Sequence, residues 1–61
     1  MNDKEFYDNA VLSAMQGLME IGGKFGLLFD SFPGFLARMS FKIADKMLEE
    51  RIRRRKEKEN E

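Results

Sequence analysis

The sequence predicts an all-α fold: an antiparallel two-helix hairpin that assembles with copies of itself into an oligomeric helical bundle. Three observations carry that expectation. Apolar residues recur at three- and four-residue spacing in two long segments separated by a short glycine-containing stretch. Apolar residues make up 43% of the chain, more than the one seam of a lone hairpin can hide. Finally, the chain has 61 residues with no cysteine and no histidine. Disulfides and the usual thiolate or imidazole metal sites are thereby excluded as stabilisers. A chain this short buries only about 60% of its unfolded surface, so a partner chain is the remaining remedy.

The whole of 1–61 reads as a single small domain, and its first element is a helix over about 3–20. Asn2 is placed to cap it, with Glu5 three positions later where a capping box wants a carboxylate. Phe6, Ala10, Ala14, Gly17 and Ile21 form one apolar stripe, and Tyr7, Val11, Met15, Leu18 and Met19 a second beside it. The apolar face is wider than one partner helix covers. Within it, Ala10, Ser13, Ala14 and Gly17 are small enough for another backbone to approach closely. Gly22 and Gly23 are expected to end the helix by supplying positive φ. A loop over 21–31 follows, in which 24–29 is apolar but short: a helical turn, a lid on the core, or an exposed patch.

A second helix is expected over about 32–56. Asp30 or Ser31 can cap it, and Pro33 suits a first-turn position whose N–H needs no partner. Ala37, Phe41, Ala44, Leu48 and Ile52 make its apolar stripe, with Leu36, Met39, Ile43 and Met47 alongside. Arg38, Lys42, Asp45, Glu49 and Arg53 form the opposite, solvated face, where Glu49–Arg53 and Glu50–Arg54 have the supportive i,i+4 order. Past Ile52 only propensity and charge pairs hold the helix, so a frayed tail is expected after Lys56.

Composition also limits function. Eleven basic and eleven acidic residues balance, and glutamates dilute the basic run around Arg51, which disfavours a duplex nucleic acid as partner. The polar N-terminal stretch lacks the apolar core of a secretory signal, and Glu20, Lys24 and Asp30 interrupt every apolar run before membrane-spanning length. The expected location is the cytoplasm. With no Cys, His or Thr and three Ser, there is no nucleophile with a positioned base, so no enzyme, catalytic residue, metal or cofactor is expected.

Two segments, Ala14-Met15-Gln16-Gly17-Leu18 and Ile43-Ala44-Asp45-Lys46-Met47-Leu48-Glu49-Glu50-Arg51, carry a family resemblance. They resemble a group of very short, mostly uncharacterised phage and prophage helical proteins with AMQGL-like and ADAML-like motifs. The acidic and aromatic opening at Asp3 to Tyr7 fits the same pattern, and Phe41 stands where that family often has an aromatic. Residues 20–36 depart from it. The resemblance implies a phage accessory protein of counter-defence type acting in the host cell cytoplasm, and implies no chemistry.

Two clusters could take an anion. Gly22-Gly23-Lys24-Phe25-Gly26 offers backbone N–H groups, a charge and an aromatic, although a helix end and turn explain the glycines equally. Arg51, Arg54 and Arg55 offer planar donor forks, although they also complement a helix C-terminus and the nearby glutamates. The leading expectation is a non-enzymatic protein that sequesters a small anionic, nucleotide-type signal at its oligomer interface. Lys24, Arg38 and Arg51 would contact phosphate, Phe25 or Phe41 would stack on a base, and Gln16 or Asp45 would read its edges. The alternative is an interaction module that binds a host protein through its apolar, Met-rich helical face.

Overall fold

The computed structural model describes residues 1–24 and 30–59. Two helices, α1 (Asp3–Lys24) and α2 (Phe32–Glu59), pack against each other along their length. The hairpin is elongated, with extents of 47 × 18 × 15 Å. Local chemistry sets both starts. The Asn2 side-chain oxygen accepts a hydrogen bond from the Glu5 N–H at 2.7 Å, and the Asn2 carbonyl accepts from the Phe6 N–H. At α2 the Ser31 carbonyl accepts from the Phe35 N–H, leaving Pro33 in the first turn, where its missing donor costs nothing.

The expected end of the first helix is corrected. Gly22 and Gly23 lie inside α1, which continues to Lys24. Gly22 is buried because it faces the ring of Phe32, and a Cβ built there would sit 2.6 Å from that ring. The glycine therefore serves close packing, not chain reversal. The second helix likewise runs three residues past the expected end, to Glu59, with Arg53 bridging Glu50 and Glu57 across its final turns.

The seam between the helices follows i,i+4 rows: Ala10, Ala14, Leu18 and Gly22 on α1, and Phe32, Leu36, Ser40, Ala44 and Leu48 on α2. Such rows are the ridges that helices interdigitate when they pack closely. Only Ala10, Gly22, Phe32, Ser40 and Ala44 are buried among the described residues. The expected α2 stripe is thus half right. Ala44 and Leu48 belong to the seam, but Ala37 and Phe41 are exposed, and Ser40 occupies the centre instead.

Candidate functional site

Because the seam is built mainly from small residues, the large apolar side chains are carried on the rows to either side. Each row is one residue away from the seam and repeats every fourth position. On the first flank, α1 contributes Asn9, Ser13, Gly17 and Ile21, and α2 contributes Phe35, Met39, Ile43 and Met47; Phe6, which continues the seam row of α1, opens onto its far end. Phe6 and Met47 line one open groove with Ile43, and a second with Ala10 and Ser13. Ile21, Phe35 and Met47 are each 40–51% exposed. The second flank holds Tyr7, Val11, Met15 and Met19 from α1 with Ala37 and Phe41 from α2, and here Met19 is 53% and Phe41 48% exposed. Both long sides of the hairpin are therefore apolar and open.

Polar contacts lock the end where α1 begins. Arg51 lies over the Phe6 ring at 4.5 Å, donates to the Met1 carbonyl at 2.6 Å and pairs with Asp3 at 3.4 Å. Arg55 also donates to the Asp3 carboxylate. The Arg55 hydrogen bond holds the Asp3 carboxyl below the ordinary carboxylate range, with the charges of Arg55 and Arg51 adding to it. One turn on, the Tyr7 hydroxyl donates to Asp45 at 2.9 Å while its ring meets that of Phe41 at 6.4 Å. That hydrogen bond to a carboxylate pushes the phenol above its ordinary value.

The residues expected to share a ligand gather only in part: Asp45 and Arg51 line one open groove, and the others lie elsewhere. Arg51 and Lys24 stand at opposite ends. About 19 residues of α2 separate Arg51 from Phe32, which is opposite Gly22, and these span roughly 28 Å. Phe41 and Asp45 are neighbours, but both are engaged by Tyr7, and Arg51 is engaged by Asp3, Met1 and Phe6. Arg38 and Gln16 are exposed away from that cluster. Phe25, and with it the rest of 25–29, lies outside the described residues. Of the charge pairs anticipated on α2, Glu50–Arg54 forms at 3.1 Å. Arg53, by contrast, turns to Glu50 and Glu57, leaving Glu49 to Lys46 at 3.2 Å. Among the described residues no helix is long and apolar enough to cross a membrane.

Of the expected Leu36, Met39, Ile43, Met47 stripe, the last three share the first flank, whereas Leu36 lies in the seam. The missing signal was the phase of the seam, which a buried serine conceals from an apolar count. No protein-family model matches the chain, and neither a curated protein nor a solved structure shows significant similarity to it.

Proposed function

We propose that this chain is a non-enzymatic interaction module that takes a helix of another protein on its Met-rich second flank. The exposure of Met19 and Phe41 beside Val11 and Met15 is the observation that carries the reading. An amphipathic helix laid along such a flank would place apolar residues at i, i+3, i+4 and i+7 onto it. The flexible thioethers of Met15 and Met19 adapt to a partner's shape better than branched side chains do. A host-cell protein as that partner and a counter-defence setting belong to the same proposal.

A photo-crosslinking residue at Met19, compared with one at Arg38 on the solvated face, tests this in cells that make the protein. The expected result is one predominant protein adduct from position 19, heavier than a second copy of this chain and lost on Phe41→Lys. Equal adducts from both positions, or an adduct with the mass of a second copy, would overturn the reading.

A second reading is capture of a small nucleotide-type anion at an interface between copies. Its support is the open groove on the first flank, where Lys42, Lys46 and Arg54 rim the apolar floor of Phe6, Ile43 and Met47. Glu49 and Glu50 in the same rim weaken it. A ligand at one hundred times its Kd stabilises by about 2.7 kcal/mol, a shift on the order of 10 °C in a chain of this size. Melting curves unmoved by saturating cyclic dinucleotides would remove those ligands.

A further inference from the structure

We infer that the first flank is occupied by a second copy of this chain, docked so that α1 of each copy lies antiparallel along α2 of the other. The inference concerns the flank opposite the Met-rich one and stands whether or not that flank takes a target.

Area is the first argument. A compact chain of 7.2 kDa exposes about 4100 Å² by the scaling of folded monomers. This hairpin exposes 4983 Å². The excess is close to the roughly 800 Å² that each partner contributes to a standard interface. Part of the exposed apolar surface lies on the first flank, from Phe6 and Met47 at one end to Ile21 and Phe35 at the other.

Charge selects both the occupant and its orientation. The α1 segment carries four acidic and two basic residues, a formal −2; α2 carries nine basic and five acidic, a formal +4. Two hairpins stacked on this flank can place α1 on α1 or α1 on α2. The first choice sets like against like on both helices, whereas the second, in the register that Asp3–Arg51 and Gly22–Phe32 fix, sets the −2 of α1 against the +1 of 32–51 twice. A helix of an unrelated protein has no reason to reproduce that split, but a second copy carries it by necessity.

The level of each side chain along the hairpin fits the same choice. Intrachain contacts fix the register, since Asp3 meets Arg51, Tyr7 meets Asp45, and Gly22 meets Phe32. A two-fold axis parallel to the helices preserves that register between copies. Phe6 then stands level with Met47 of the second copy, and Phe35 of the second copy stands between Gly17 and Ile21. Ser13 and Gly17 stand either side of Met39 of the second copy. A Cβ built on Gly17 meets nothing within 4 Å, so the space over it is open to receive that methionine. Large residues meet at the Phe6 end, and along the rest of the flank Met39 and Phe35 of the second copy each enter the space beside Gly17.

The absence of cysteine from the chain makes the test direct. The wild type should sediment at micromolar concentration with about twice the 7.2 kDa chain mass. A mixture of Gly17→Cys and Met39→Cys chains, treated with a short bis-maleimide, should give a covalent dimer containing one chain of each kind. Neither variant alone should give a comparable yield. A 7.2 kDa wild-type species, a link formed as readily by Gly17→Cys alone, or no link in any sample would each overturn the inference.

Discussion

Gly22→Ala separates two opposing effects whose sizes the structure supplies. In a helix interior, replacing glycine by alanine gains about 1 kcal/mol by restricting the unfolded backbone. At Gly23, where an added Cβ meets nothing within 4 Å, that gain should appear undiminished. At Gly22 the new methyl would lie 2.6, 3.0 and 3.3 Å from three atoms of the Phe32 ring. Phe32 is 6% exposed, so its ring has no open space to swing into without giving up burial. Overpacking of this kind costs about 1–3 kcal/mol, and an outward swing of the ring forfeits part of the roughly 1.5–3 kcal/mol from burying it. The net expectation for Gly22→Ala is a loss of about 1–2 kcal/mol, against a gain of about 1 kcal/mol for Gly23→Ala. Each kilocalorie moves Tm by about 4–8 °C in so small a domain. Thermal melts of the two variants at one fixed protein concentration should therefore move in opposite directions. The cause is checked in a Phe32→Ala background, where Gly22→Ala should revert to a gain. If Gly22→Ala raises Tm as much as Gly23→Ala in the wild-type background, the close approach is wrong and Gly22 has no packing role.

Two further outcomes follow from single side chains. Ser40 Oγ is buried without a hydrogen-bond partner, so Ser40→Ala should raise stability by about 1 kcal/mol in urea denaturation; a loss of that size would mean the hydroxyl is satisfied. Tyr7 is the only tyrosine, which makes its ionisation readable at 295 nm. The hydrogen bond to Asp45 raises its folded-state value, so the contact stabilises the fold below the ordinary phenol range and is lost as pH climbs through the raised value. The absorbance midpoint should lie above that of free tyrosine and return to it on Asp45→Ala; a midpoint unmoved by that substitution would show that the hydrogen bond is not formed.

The helical hairpin was legible because its signals are local. A capping asparagine, a serine–proline start and two long apolar periodicities need no tertiary information. The failures lie where tertiary contact overrode local habit. Paired glycines normally end helices, but the Phe32 ring makes a glycine worth more inside α1 than after it. A serine does not count toward an apolar stripe, so apolar periodicity centres α2 on Phe41, whereas the seam centres on Ser40. The proposed ligand residues suffered for the same reason. Composition offers cations and aromatics freely, but only the fold shows that Arg51 is engaged by Asp3 and that Lys24 stands at the other end.

That misphasing exposes how the chain divides its residues. In a self-sufficient small domain the largest apolar side chains would meet in the middle. Here the middle consists of Ala10, Ala14, Gly22, Ser40 and Ala44, with Phe32 the one large buried ring among the described residues. Small residues let the two backbones come close, and that closeness turns Met19, Ile21, Phe35, Phe41 and Met47 outward. Replacing Ala44 by leucine would press the helices apart to bury more of the chain's own apolar surface. The cost is about 1–3 kcal/mol of misfit in the seam, and the spacing of the two flanks would be lost with it. The small-residue seam therefore acts as a spacer: it fixes the width of two apolar strips whose burial depends on what packs outside the hairpin.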